Sequence, residues 1–280
     1  MSKRLALAAA LATSTALLSA CGSTGGSDSA GGDCTPAHEF NTMTEGELTV
    51  SAYDLPPFTQ VEGEQLKGVD GAILDEIAAM ECLEVVVQPA AASAVIPAVQ
   101  TGRADVAAAN WYRTADRAKV VNLTGPIYTD QMAIIGKDAP TEIPELKGEK
   151  VGTVDGYLWV ADMEAYTGDS MKIYSSPQNM YQDLESGRID YAVDSFGSGV
   201  YNVDDESIDV VVADKFKEVA ASMEGAQSTF PLPKDNEAML EAFNEDIVEL
   251  RESGRLAEIL VEHDLDESAA EPGEARLIGD

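Results

Sequence analysis

The residues best suited to hold a charged small molecule stand together in Asn110-Trp111-Tyr112-Arg113-Thr114-Ala115-Asp116-Arg117. They follow an apolar run, Val106 to Ala109, that reads as a buried strand. Thr114 is a good N-cap residue, Asp116 suits the positive end of a helix dipole, and Ala115 to Val121 can continue a helix. Arg117 then falls in the first helical turn, where a cation opposes the dipole. An anion between the guanidinium, the free backbone N–H groups and the Thr114 hydroxyl removes that conflict, and a carboxylate is the simplest such anion. The alternative is a surface arginine paired with a neighbouring acid.

The surrounding elements alternate. A strand is expected from Glu47 to Tyr53, ended by the turn Leu55-Pro56-Pro57-Phe58. Asp70 is expected to cap a helix from about Ala72 to Glu81, with Ile73, Ile77 and Met80 on one face. The valine-rich strand Glu84 to Gln88, a short helix near Ala94 to Gln100 interrupted by Pro97, and Asp105 to Ala109 lead back to the octet. Strand, helix, strand, helix, strand implies an open, mostly parallel sheet with its crevice at the strands' C-terminal ends, where the octet lies.

After the strand Met132 to Gly136 the pattern restarts beyond Pro144. It continues with a strand Lys150 to Val154, a turn at Asp155-Gly156, and a helix Leu158 to Tyr166. A strand Lys172 to Tyr174, a helix Pro177 to Glu185 and strands Asp190 to Val193 and Val210 to Ala213 follow. A return strand Gln227 to Leu232 precedes an amphipathic helix Asn236 to Glu252, with Met239, Phe243, Ile247 and Leu250 on one face, and a last helix Leu256 to Val261. Asp264 to Asp280, acidic and with Pro272, is expected to dock only loosely.

The chain's formal charge of -32 excludes nucleic acid, whose phosphates need clustered Lys and Arg, and fits a strongly solvated surface. Lys3 and Arg4 followed by apolar and small residues to Ala20 form a secretory signal too short to span a membrane. Its end, Leu18-Ser19-Ala20-Cys21, resembles the bacterial lipoprotein cleavage box, so residues 1–20 are expected to be removed and Cys21 lipidated. Residues 21–45 begin with that cysteine and are a Gly/Ser-rich linker. Cys34 and Cys82 remain, and an exported compartment permits a disulfide between them; the alternative is two buried thiols. With only His38 and His263 there is no Cys/His cluster at metal-ligand spacing, and no metal or cofactor is expected. Neither a Gly-x-Ser-x-Gly elbow nor a Walker loop is present.

Several ordered motifs carry a family resemblance. Pro56-Pro57-Phe58, Gly68-Val69-Asp70-Gly71, the run Ile96 to Asp105, Thr114 to Arg117, Leu146 to Gly152 and Ser186-Gly187-Arg188-Ile189-Asp190 resemble the family 3 solute-binding proteins of bacterial ABC importers, over about Gly46 to Asp264. The resemblance implies an α/β, two-lobed periplasmic-binding-protein-like fold of type II, each lobe an open mixed sheet flanked by helices. Lobe 1 would comprise residues 46–135 plus 226–264, lobe 2 residues 136–225, with two hinge strands between them and residues 265–280 as tail. It further implies a monomer outside the cytoplasm, lipid-anchored to the cell membrane, that delivers a solute to ABC permease and ATPase subunits. In the family, the arginine at the position of Arg117 holds the ligand carboxylate, helped by Thr114, Asn110 and Tyr112.

Three positions depart from the family pattern. The usual amino-group aspartate is Ser195 here, with Asp194 one residue early; an expected aromatic is Leu55, although Tyr53 is near; and the small residues after Gly156 are Tyr157, Leu158 and Trp159. Tyr53, Trp111, Tyr112, Tyr157 and Trp159 fall on segments that border the cleft in the family, and two or three of them are expected to touch ligand. The ligand expected is therefore a small carboxylate-bearing, amino-acid-like solute. One alternative is a substituted zwitterion such as an ectoine, betaine or opine with its cation over aromatic faces. Another is a dehydratase-like enzyme on the same fold, for which Asp194 is the nearest acid.

Overall fold

The structure, a computed structural model, describes residues 34–279. The signal segment, Cys21 and the Gly/Ser-rich linker as far as residue 33 lie outside the described residues. Cys34 and Cys82 are disulfide-bonded, as expected.

The first sheet is parallel. Strand Glu47–Ala52 sits between Glu84–Pro89 and Val106–Ala107, with Val50 level with both Val87 and Val106. Parallel strands need crossovers, and helices Val69–Met80 and Ala92–Gln100 supply them. Ile73 and Ile77 face the core while Met80 is half-buried. Pro97 lies within the second helix without breaking it.

The second sheet has strand order Met171–Tyr174, Val151–Val154, Tyr191–Ser195, Met132–Gly136, Asp209–Val212. Its first three strands are parallel and the last two antiparallel joins, so it is mixed. A smaller antiparallel sheet, Trp111–Tyr112, Ala226–Thr229 and Thr129–Asp130, carries the chain between the two halves. Helix Glu237–Glu252 is capped by Asn236, whose side chain accepts from Met239 N, and buries Met239, Phe243, Ile247 and Leu250.

Several expectations need correction. Asp70 does not cap its helix; Gly68 holds that position, and the Asp70 carboxylate points into the interior. The return strand is broken at Phe230 into Ala226–Thr229 and Pro231–Leu232, which pair with different partners. A hairpin, Gln60–Glu62 with Gln65–Lys67, and a helix, Phe196–Asn202, were not anticipated. The helix hides in the sequence because of its glycines, poor helix formers. Gly197 is needed because a Cβ there would lie 2.8 Å from the Phe58 ring.

The acidic C-terminal segment is not loose. Ile278 accepts from Ala115 N and donates to Arg113 O, adding a parallel bridge beside Thr114. The buried Gln227 side chain donates to the carbonyls of Pro272 and Glu274 and accepts from Arg276 N. Backbone groups in this segment pair with residues far upstream, which outweighs the polar composition that suggested loose docking.

Candidate functional site

One cavity is lined by ten residues singled out in the sequence: Tyr53, Leu55, Asn110, Trp111, Tyr112, Arg117, Tyr157, Trp159, Asp194 and Ser195. Ala109, Gly156 and Leu158 complete it. The first half of the molecule contributes the end of strand Glu47–Ala52 and the loop before Trp111–Tyr112; the second contributes the turn after Val151–Val154 and the end of Tyr191–Ser195. Both sets come from the C-terminal ends of parallel strands, the expected crevice position. The cavity measures about 30 Å³, on a scale where one water takes roughly 10–15 Å³. Its walls must part for an amino-acid-sized molecule to enter.

Five aromatic rings form a continuous wall around this space. Ring centroids are separated by 6.2 Å for Tyr53 and Trp111, 6.4 Å for Tyr53 and Tyr157, 5.3 Å for Tyr157 and Trp159, and 6.3 Å for Tyr112 and Trp159. The rings meet tilted or edge-on, the arrangement favoured by their quadrupoles. Trp159 is fixed by its indole N–H, which donates to Thr153 Oγ1 at 2.8 Å, and Trp111 by donation to Ala108 O at 3.2 Å.

Arg117 provides the cation. Its guanidinium carbon lies 4.6 Å above the Trp111 ring centroid and its Nη1 donates to Tyr112 O at 2.8 Å. Among the described residues, no carboxylate lies within ion-pairing distance of it. Burial lowers its pKa to about 10, so it stays charged at neutral pH. A desolvated guanidinium that retains unused donors is suited to a carboxylate.

Thr114 has another task. Its hydroxyl accepts from Arg117 N at 3.1 Å, so it caps helix Ala115–Val120, and it does not line the cavity. Ala115 N is taken by Ile278 O. The free helix-end donors inferred from sequence are therefore largely engaged, and Arg117 reaches the cavity through its side chain.

Buried acids organise the remaining wall. Asp194 Oδ1 accepts from Ser195 N at 2.7 Å, while Oδ2 accepts from the Tyr181 hydroxyl at 2.9 Å and Ser198 Oγ at 3.3 Å. Burial pushes its pKa up to about 7; the Ser195 N–H and Tyr181 hydroxyl oppose that rise, and the nearby Asp130 adds to it. Asp130 Oδ2 accepts from Asn110 Nδ2 at 2.5 Å and from the Tyr112 hydroxyl at 3.0 Å, which orients two cavity residues. Burial raises Asp130 as well. The Asn110 Oδ1 atom is buried and accepts no hydrogen bond from the described residues, leaving an acceptor at the cavity wall.

Asp70 is the residue that sequence reasoning most clearly misread. Its Oδ2 accepts from Ala109 N at 2.9 Å and Asn110 N at 2.8 Å, and its Oδ1 accepts from the Tyr128 hydroxyl at 2.6 Å. Ala109 has φ 121°, a conformation that non-glycine residues resist, and Asn110 has φ 50°, the left-handed region that asparagine tolerates better than most. The buried carboxylate compensates that strain and aims Asn110 and Trp111 at the cavity. For Asp130 a signal existed: a lone acid within the largely apolar stretch Pro126 to Gly136.

Residues 48–263 match the family described as bacterial extracellular solute-binding proteins, family 3. The arginine-binding extracellular protein ArtP of Bacillus subtilis (strain 168) is 24% identical over 213 residues, 74% of this chain and 81% of its own length. The probable amino-acid-binding protein YxeM of the same organism is 25% identical over 252 residues, covering 87% and 89% of the two chains. A solved structure described as an ancestral arginine-binding protein bound to arginine is similar with a TM-score of 0.70 and 25% identity, over 78% of this chain and 98% of that one. With sheets, crossing strands and cavity arranged as described, the chain belongs to the bacterial extracellular solute-binding proteins of family 3, and its two halves are the lobes of a type II periplasmic-binding-protein fold.

Proposed function

We propose that this chain captures a small carboxylate-bearing, amino-acid-like zwitterion between its lobes, residues 46–135 with 226–264 and residues 136–225, and delivers it to an ABC permease with its ATPase. The observation that carries this reading is Arg117: a desolvated guanidinium on the cavity wall, stacked on Trp111, with no acid partner among the described residues. The ligand carboxylate takes the place of that missing partner. The relatives named for arginine and amino acids support an amino-acid-type solute, and their being named as binding proteins supports capture rather than turnover.

The cationic end of the ligand meets the ring wall, Asn110 Oδ1 and Asp194. The completeness of the ring wall favours a substituted ammonium, as in a betaine, ectoine or opine, because each aromatic face attracts a cation by roughly 0.5–2 kcal/mol. Asp194 already accepts three hydrogen bonds from the protein, which weakens the case for a dedicated primary-amine clamp. Calorimetry on a free amino acid and its N-alkylated counterpart tests the choice. Tighter binding of the primary amine selects the amino acid.

Losing one partner of a buried charge pair costs about 2–5 kcal/mol, so Arg117→Ala is expected to weaken binding at least tenfold with folding retained. Wild-type affinity in that variant refutes the assignment. The chain acts as a monomer held at the membrane by lipid on Cys21. Cys21→Ala is accordingly expected to move from the membrane fraction to the soluble one; retention after a high-salt wash rules the anchor out.

A further inference from the structure

A second set of ligating side chains converges outside the cavity. His38 comes from the segment that leads into the first strand, Glu81 from the end of helix Val69–Met80, and Asp246 from helix Glu237–Glu252. One possible ligand atom from each lies within 4.8 Å of the other two. Glu81 and Asp246 are only 3% and 1% exposed. His38 Nδ1 is 2.5 Å from Glu81 Oε1 and 3.7 Å from Asp246 Oδ1, and the His38 backbone N–H donates to Glu81 Oε2 at 3.0 Å. On the other side of the ring, Nε2 lies 3.0 Å from Glu245 Oε2.

One atom in this cluster is unexplained. Asp246 Oδ2 is buried and has no hydrogen-bond partner among the described residues. When both are ionised, two buried carboxylates facing one imidazole hold more negative charge than even the imidazolium can neutralise, and burial together with the neighbouring Glu81 pushes the Asp246 carboxyl up to about 7. A doubly charged cation removes the excess. Carboxylates with an imidazole nitrogen suit a first-row transition ion or zinc better than calcium or magnesium, which take oxygen ligands alone.

We propose that His38 Nδ1, Glu81 and Asp246 form a divalent transition-metal site, with Glu245 as the outer carboxylate that holds the His38 Nε2 proton. That outer contact fixes the tautomer needed for Nδ1 to ligate, a pairing common to metal-bound histidines. The Nδ1 to Oε1 separation of 2.5 Å must widen to roughly 3.0–3.4 Å as both atoms turn to an ion about 2.1 Å from each. A surface cleft lined by His38, Glu241, Glu245, Glu249 and Glu252 gives a cation an acidic approach. The bound ion ties the incoming segment to the end of one helix and the middle of another, so it acts as a clamp. Sequence spacing hides this site because its acids come from distant elements and its single histidine forms no local motif with them.

The test is titration of the full chain, stripped with a chelator, with Co2+ followed by visible absorption and with Zn2+ by calorimetry. One Co2+ bound per chain with release of protons, then displaced by Zn2+, is the expected result. Asp246→Asn and His38→Gln are expected to weaken it at least about tenfold, and Glu245→Gln, which keeps all three ligands, by roughly tenfold. Zn2+ should raise the thermal midpoint of the wild-type chain and not that of Asp246→Asn. Equal affinity in wild type, Asp246→Asn and His38→Gln places the ion elsewhere on the acidic surface and overturns the proposal. So does the absence of saturable binding, or an equal response to Mg2+. An imidazolium held between Glu81 and Glu245 without any ion is then the correct description.

Discussion

Asp194 links the chemistry of a single side chain to a measurable pH dependence. Burial raises its carboxyl from the usual 3.8 to about 7, so between those values the folded chain keeps a proton that the unfolded chain has released. On that account its contribution to stability is greatest below the unfolded value and declines as pH rises through the window. Ligand binding should run the other way. A cation close to Asp194 is held better once the carboxylate is ionised, so affinity climbs towards pH 7 by at most about tenfold per pH unit and then levels off. A cation held by rings and Asn110 alone gives affinity that is flat from mildly acid to neutral pH. Calorimetry across that range, repeated on Asp194→Asn, distinguishes the two arrangements: any slope in the wild type must vanish in the variant. The residue types at the cavity were legible beforehand, since Arg117, Asp194 and the five rings were all singled out and all line it. Asp70 was not, because its bonds to Ala109 and Asn110 cross 39 and 40 positions and leave no local pattern.

At the scale of elements, legibility followed local redundancy. Helix Pro177–Glu185 could be placed to the residue because Ser176 caps it, proline occupies its first turn and Ser186-Gly187 follows. Strand Met132–Gly136 is fully buried and reads as one apolar run. The C-terminal segment misled because its acidic composition says nothing of backbone pairing made with residues far upstream. Those pairs have a consequence. Deleting residues 272–280 removes the partners of the Gln227 side chain, which is only 1% exposed, and of Ala115 N and Arg113 O. Leaving a buried polar group unpaired costs about 1–3 kcal/mol, and Gln227 stands in Ala226–Thr229, the strand paired with Trp111–Tyr112. Urea unfolding is therefore expected to shift to lower denaturant with an unchanged slope, and ligand affinity to fall with it. Unaltered stability after the deletion means the segment is dispensable.

On the proposed function the lobes come together around the solute, and one glycine reports on how closely they meet. Gly156, on the second lobe, has φ +86°, and a Cβ there would sit 3.0 Å from both Ser93 Cα and Ser93 N at the start of helix Ala92–Gln100 on the first. These are backbone atoms, so a methyl group cannot be accommodated by a side chain swinging aside. Gly156 also lines the cavity, which makes the same contact part of the ligand's enclosure. Gly156→Ala therefore acts twice. The positive φ costs the folded chain about 1–2 kcal/mol whether or not ligand is bound. The clash adds a cost that exists only when the lobes are closed, and that cost is subtracted from the binding free energy, because ligand stabilises the closed arrangement by its differential affinity for it. The expected result is a modest fall in the midpoint of the unliganded protein and a larger fall in the ligand-induced rise. Solution scattering should show the variant remaining extended at ligand concentrations that compact the wild type. A variant that loses stability but keeps the full ligand-induced rise would show that Gly156 serves its own turn and that closure does not depend on this contact.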